Sequence, residues 1–434
     1  MHMPGHKRCA PFKEDLLLLD ITEIKGSDDL HAPSGVIDRA QRKMAESYGS
    51  DECIFCVNGG SSGVLAAVLG TCKEGDAVLT VRNAHKSLHN ALVLSGADAM
   101  YFSTRSNGYG FALPAQACEI EEALKTNAKI KAVFIVSPTY EGCCADIKAI
   151  SETVHKYGKI LIVDETHGAH FPFDTAFPKN AARLGADISI QSWHKTMPVP
   201  NQCALINIKG DRVDKTRIKQ AFSMVTTTSP SYIFMGLMDK VRAFYTENTH
   251  LFAAYADKMK EIRAKLGGLN CLGLLESDDI SKLTLLADCA EDTAAIADRL
   301  RNKGFELEMT APFYLLAMTS VADDHNALDK FVEAVKETDK TLTYKKRGNC
   351  GFDILPVSKP INQRKIFYAK KTKMPLDKAV GLTAAEHITP FPPDIPLVIA
   401  GETITENSIA AIKRYIAQGA DIHGTENGMI SVLS

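Results

Sequence analysis

Trp193-His194-Lys195 follows a short strand-like run, Ala186 to Gln191, and comes after Asp164, a carboxylate that closes another such run. A lysine amine attacks an aldehyde only when it is partly neutral, which a desolvated pocket beside a cation favours. An ionised carboxylate fixed at a strand end can keep a pyridine nitrogen protonated. Asn58-Gly59-Gly60-Ser61-Ser62-Gly63 follows a strand and opens a helix. Its glycines permit close backbone approach, while its free amides and the Ser61 and Ser62 hydroxyls can hold a phosphate. Arg82-Asn83-Ala84-His85-Lys86 follows a further strand, and the flat imidazole of His85 can stack on a ring and keep a proton donor nearby. His167, in the turn after Asp164, can meet a phenolic oxygen, and Ser192 can add a phosphate contact. Together these groups match the polar edges of pyridoxal 5'-phosphate (PLP), and the chain reads as a cofactor enzyme.

Each motif has a plainer reading. A glycine-rich helix start with serines is common for structural reasons alone, and a lone histidine after a strand is usually a surface or capping residue. Asp164, Glu165, His167 and His170 are all metal-ligand types, but crowding into one short turn suits a metal poorly without remote ligands, so no metal is expected. Three His-Lys pairs compete for the aldehyde: His6-Lys7, His85-Lys86 and His194-Lys195. Lys195 is favoured because it follows both the phosphate loop and the carboxylate. Cys53 and Cys56 form a CxxC inside a strand-like run with no second pair at zinc spacing, so these thiols, and the vicinal Cys143-Cys144, read as packing.

These motifs need a frame. Ile54 to Val57, Ala77 to Val81, Ala99 to Phe102, Ala132 to Val136, Ile160 to Val163 and Ile188 to Ile190 read as buried strands. Helical patterns fall between them at Gly63 to Thr71, Leu88 to Ser95, Gln116 to Thr126 and Asp146 to Tyr157. Such alternation predicts an α/β fold with a largely parallel sheet covered on both faces, its ligands at the carboxyl ends of the strands. A helix over His250 to Leu266, strands at Leu283 to Leu286 and Tyr314 to Met318, and a helix around Thr293 to Lys303 suggest a smaller α+β domain. Past Lys345, Pro and Lys become frequent, and Phe391 to Pro396 reads as a rigid extended piece before a closing helix, Ser408 to Gln418. The expected division is 1–245, 246–345 and 346–434.

The 434 residues, 45% hydrophobic and 24% charged, suffice for a sizeable core. A formal net charge of -2 offers no general attraction to nucleic acid or anionic lipid. No apolar run is long enough for a membrane span and the amino terminus lacks a secretory pattern, so a cytoplasmic enzyme with a small-molecule substrate is expected. The eleven cysteines form an odd, scattered set that reads as reduced thiols.

Across nearly its whole length the sequence resembles the ornithine/lysine/arginine decarboxylase family of fold-type-I PLP-dependent enzymes, in its shorter bacterial form. The matching segments are Met3 to Lys7, Asp28 to His31, Val57 to Gly63, Arg82 to Ser87, Pro138 to Gly142, Asp164 to His170, Gln191 to Pro198 and Thr228 to Tyr232. The resemblance implies Lys195 as the Schiff-base lysine, Asp164 on the pyridine nitrogen and His85 over the ring. It implies Ser61, Ser62, Ser192 and His194 around the phosphate, beside Gly60 of the glycine-rich turn, itself a cofactor-binding candidate. It also implies a homodimer with shared active sites, in which the segment Thr226 to Ser231, including Thr228, reaches the neighbouring subunit's cofactor. The implied reaction is decarboxylation of lysine, ornithine or arginine to the amine, a step of polyamine biosynthesis. Other reactions of the same scaffold, transamination or an α-oxoamine-synthase-like condensation, share these ring contacts, and a catalytically silent paralogue is a third reading. Glu141 and Glu165 are candidates for an acidic pocket facing a basic side chain. The chain starts almost at Met3 to Lys7, where relatives generally carry a preceding helical segment. Cys9, Pro200-Asn201 and Asp394 depart from the family's usual Gly, Leu-Thr and Gly.

Overall fold

The computed structural model describes residues 18–102, 105–345, 361–391, 396–417 and 421–434. Met3 to Lys7, Cys9, Asp394 and Gln418 lie outside them.

The β-branched runs form a seven-stranded sheet of β1 (Glu52–Cys56), β2 (Ala77–Thr80), β3 (Asp98–Tyr101), β4 (Ile130–Val136), β5 (Ile160–Asp164), β6 (Ile188–Gln191) and β7 (Ala204–Ile208). Their spatial order is β1-β7-β6-β5-β4-β2-β3. β3, β2, β4, β5 and β6 pair in parallel, and β7 runs antiparallel to both β6 and β1. Every position of β2, β5, β6 and β7 is buried, as expected of strands covered on both faces. The sequence predicts six of these strands and misses β7.

A buried polar chain runs beneath this end of the sheet. Ser50 donates to Asn207, Asn207 to Gln191, and Gln191 to Glu165 at 2.6 Å. The backbone N–H of Ala181 donates to the other Glu165 oxygen at 2.7 Å. Burial pushes the Glu165 carboxyl up to about 8 despite these donors. On the covering layer, the helix Gly59–Thr71 presses against the helix Lys215–Val225 through Gly70, where a Cβ would stand 2.8 Å from the Ile218 Cα. That contact sets how closely the two helices approach near the helix's far end.

A second, antiparallel sheet holds β8 (Leu272–Leu274), β9 (Lys282–Ala287), β10 (Met309–Ala311) and β11 (Tyr314–Met318) in the order β10-β11-β9-β8. The helices Thr249–Leu266, Thr293–Asn302 and His325–Asp339 accompany it. The last segment contains β12 (Lys371–Pro375), β13 (Thr389–Phe391), β14 (Asp421–His423), β15 (Thr425–Glu426) and β16 (Met429–Leu433), with the helix Glu406–Ala417. It has an apolar cluster of its own around Ile404, Ile412 and Ile430.

Arg82 ties that segment to the loop after β2. Its guanidinium donates to both oxygens of Glu402, at 2.8 and 3.0 Å, and to the carbonyls of Pro396 and Leu397. Both side chains are buried. Removing one partner strands the other charge, so Glu402→Ala should lose about 3–5 kcal/mol of stability. A urea titration that leaves the unfolding midpoint unchanged would contradict this.

Candidate active site

A cavity of about 580 Å³ opens at the carboxyl edge of the seven-stranded sheet. Gly60 and Ser61 reach it from the turn after β1, His85 from the loop after β2, Asp164 and His167 from β5 and its turn, and Ser192, His194 and Lys195 from the turn after β6. Four strand ends thus bring together residues far apart in sequence.

The phosphate-type corner follows from local backbone. Gly59 takes φ +76°, a left-handed conformation costly for other residues, and donates its N–H to the Gln202 carbonyl at 2.8 Å. Asn58 makes no side-chain cap, so past Gly59 the N–H groups of the helix's first turn are not covered by an N-cap side chain. A Cβ on Gly60 would stand 2.5 Å from the Ser192 Oγ and 3.1 Å from the Thr166 Cγ2, so glycine is what lets this turn meet the end of β6. Gly60→Ala should weaken binding of the cofactor proposed below by about tenfold or more. A spectroscopic titration of apoprotein giving an unchanged Kd would refute that. Ser62 does not line the cavity; it is buried and donates to the Gly59 carbonyl at 2.8 Å, bracing the turn from within. Thr228 is exposed, between the helices Lys215–Val225 and Tyr232–Glu247, and does not line this cavity either.

His194 and His85 each have a tautomer set by a backbone partner. His194 Nδ1 donates to the Cys203 carbonyl at 3.1 Å, which leaves Nε2 as the titrating atom. Burial holds His194 below the ordinary histidine value, and a bound anion would oppose that shift. His85 Nδ1 accepts from the Ser87 N–H at 3.2 Å, so a neutral ring carries its hydrogen on Nε2. His85 is therefore an N-cap and a cavity wall at once; the plainer and the functional readings coexist.

Asp164 is 3% exposed, with Oδ1 accepting from the Thr166 N–H at 3.2 Å. Lys195 Nζ lies 3.4 Å from Thr166 Oγ1 and 3.0 Å from His167 Nε2. Burial lowers the Lys195 amine below the usual lysine value, against the opposing pull of Asp164 and Glu308. Burial, then Lys195 and Lys282, push His167 well below its ordinary value, so its ring is neutral. The metal reading of this turn finds no support: Glu165 is engaged by Gln191 and Ala181, and His170 Nε2 pairs with Asp279 at 3.1 Å. Among the described residues no group of three or more His, Cys, Asp or Glu side chains is placed to hold a metal ion. None of the described helices is long and apolar enough to cross a membrane.

Several wall residues were not predicted. The Tyr140 ring packs on His167 with centroids 4.4 Å apart, and its hydroxyl donates to Glu308, just before β10. Burial, reinforced by Glu308, raises the Tyr140 phenol above its ordinary value. Glu308 thus brings the second sheet to the cavity, and Phe391 brings the last segment. Glu141 lines the cavity but is buried, accepts from the Tyr314 hydroxyl at 2.8 Å, and has its carboxyl pushed up by burial. Glu165 faces the polar chain under the sheet instead. Asn201, from the departing Pro200-Asn201 pair, lies on the cavity wall beside Gln202, a non-glycine residue at φ +78°. The Pro138 to Gly142 motif signalled Tyr140; spacing offers no signal for Glu308.

Comparison with known proteins adds an independent line. A family model described as Orn/Lys/Arg decarboxylase, major domain, matches residues 2–276, and one described as Orn/Lys/Arg decarboxylase, C-terminal domain, matches residues 356–425. An arginine decarboxylase of Bacillus subtilis is 30% identical over 457 residues, covering 100% of this chain and 93% of the relative. The crystal structure of a Francisella novicida lysine decarboxylase covers 100% of this chain and 79% of its own, with TM-score 0.86 and 18% identity. A serine palmitoyltransferase from S. paucimobilis, solved with bound PLP-myriocin, covers 73% of this chain and 79% of its own, with TM-score 0.57 and 14% identity. The two structural likenesses agree with the strand order in giving the seven-stranded sheet the fold-type-I architecture of PLP-dependent enzymes. The major-domain match spans well over half of the sequence, and with the whole-length likeness to the Bacillus enzyme it shows that this chain belongs to the Orn/Lys/Arg decarboxylase family, a family of amino-acid decarboxylases.

Proposed function

We propose that the chain decarboxylates a basic amino acid, lysine, ornithine or arginine, with PLP bound covalently at Lys195. The observation that carries this reading is the convergence of Lys195, Asp164, His85 and the uncapped Gly60-Ser61 turn on one cavity. The residues present fit the cofactor. The turn meets Ser192 at the end of β6 only because Gly60 lacks a Cβ, and the Lys195 amine is lowered by burial.

When bound, PLP supplies an electron sink for the pair left as carbon dioxide departs from the substrate's α-carbon. The protein's part is positioning and proton control. Lys195 offers a nitrogen that burial makes easier to deprotonate, and Asp164 holds a proton on the ring nitrogen. His85 would lie against the ring with Nε2–H as donor, and His167 would serve the phenolic oxygen. Gly60, Ser61, Ser192 and His194 hold the phosphate, with Ser62 bracing the turn. His85 or Lys195 returns a proton to the α-carbon. Glu308 is the carboxylate on the cavity wall offered to a basic side chain, with Glu141 buried behind it on Tyr314. In this reading the active form is a homodimer, and Thr228, exposed on one subunit, completes the neighbour's site. The segments 1–245, 246–345 and 346–434 act as cofactor domain, small domain and C-terminal domain; the separate apolar cluster of the last segment supports that division.

Purified protein incubated with PLP and each of the three amino acids should release carbon dioxide and the matching amine. Keto-acid formation would favour transamination instead. Absence of a visible cofactor band would sink the reading altogether.

A further inference from the structure

Lys282, the first residue of β9, is 0% exposed, a rare position for a lysine. Its Nζ lies 3.5 Å from Nδ1 of His167. Asp279, in the preceding turn, directs Oδ1 to His170 at 3.1 Å and accepts from the Ser281 hydroxyl at 2.7 Å. Gly142, at φ +94°, makes room for the lysine stem: a Cβ there would stand 2.8 Å from Lys282 Cγ. On the opposite side of the same imidazole, Lys195 Nζ stands 3.0 Å from Nε2. One ring therefore separates two lysine nitrogens, only one of which opens to the cavity.

A neutral imidazole has one N–H and one lone pair. Two ammonium groups cannot both donate to it, and a protonated ring between two lysines is strongly disfavoured. One lysine can donate to the ring; the other bonds to it only as an unprotonated amine that accepts the ring N–H. The groups facing Lys282 are Asp279 from its own turn, Glu141 from the loop after β4, Glu308 from the approach to β10, and Lys195 with His167 across the ring. Burial pushes Lys282 down to about 8, against the pull of Asp279. Against burial, which acts the other way, His170 and Lys282 hold the Asp279 carboxyl below its ordinary value. Lys195 faces Asp164 and Glu308, and Asp164 is the carboxylate assigned above to a ring nitrogen.

We propose that Lys282 is a positioning residue: its ammonium donates to Nδ1, holds His167 as the Nε2–H tautomer, and through that ring keeps the Lys195 nitrogen unprotonated. This deepens the proposed function and rests on it. Two consequences follow for the site. His167 presents a donor, not an acceptor, toward the cavity, and the amine that must attack an aldehyde is prepared before any cofactor arrives.

The test follows cofactor uptake, not turnover. Apoprotein and PLP are mixed across about pH 6 to 10, and the growth of the visible band is timed for wild type and Lys282→Met. The wild-type rate should rise through a midpoint. In Lys282→Met that midpoint should move up by about one unit, so uptake near pH 7 slows by about tenfold and the two proteins converge in alkali. An unshifted midpoint overturns the proposal, and so does uniform slowing at every pH, the mark of a merely structural lysine. If the variant does not fold, nitrogen-15 shifts of His167 in wild-type apoprotein decide: a protonated Nε2 and bare Nδ1 are expected, and the reverse pattern refutes the assignment. Wild-type protein that takes up no PLP at any pH would sink the functional reading and this inference with it.

Discussion

Lys195→Ala should abolish carbon dioxide release and the visible band of the bound cofactor while leaving the fold in place. The loss should be on the order of 10⁴-fold or more in turnover, because truncation removes the nitrogen proposed to hold the aldehyde carbon. The fold survives because Lys195 does not hold its own turn. Trp193, 0% exposed, anchors that turn by donating to the Tyr48 hydroxyl at 2.8 Å, and Tyr48 in turn donates to the Ala169 carbonyl at 2.6 Å. What Lys195 touches are cavity groups, Thr166 and His167. Circular dichroism should match wild type. A visible band that persists with PLP would move the assignment to another lysine.

Asp164→Ala should retain part of the cofactor and slow turnover by about 10²- to 10⁴-fold. The carboxylate is buried at the end of β5, where its charge is worth far more than in water. Without it a ring nitrogen in the cavity loses the partner that keeps it protonated, and the ring becomes a weaker electron sink. The phosphate corner is built from other strand ends, so affinity should fall less than rate. Asp164→Asn, which keeps the volume and loses the charge, should track the alanine variant in rate. Single-turnover rates near wild type in either variant would refute the role.

Much of this architecture was legible because helical crossovers impose a rhythm. A buried parallel strand reads as a β-branched run, and the helix that follows separates it from the next. β7 escaped because it returns from the cavity through a short loop and runs antiparallel, with no long helix before it to break the pattern. The closing helix of the last segment was legible, but its strands escaped for another reason. β12 is exposed at most positions, and β15 has two residues, so neither shows a clear period. One signal there went unread: Asn427-Gly428, with φ +50° and +72°, turns β15 into β16 as such a pair commonly does in a tight hairpin.

The site divides in the same way. Asp164 ends a strand, and Gly60, Ser61, His85, His167, Ser192, His194 and Lys195 sit in segments that directly follow strands, so chain order predicted their meeting. Glu308 and Lys282 belong to the second sheet, whose placement against the first follows from packing between distant segments and leaves no local trace. Lys282 left one faint mark, a lone charge at the head of the apolar run Leu283 to Ala287. Ser62 was named for its hydroxyl, but a helical position turned that hydroxyl toward the Gly59 carbonyl.

The account turns on one covalent attachment, and reduction can trap it. Protein saturated with PLP, treated with borohydride, digested and mapped by mass spectrometry should carry a pyridoxyl group on the peptide containing Lys195 and nowhere else. The same label on Lys7, Lys86 or Lys282, or no label at all, would contradict the account.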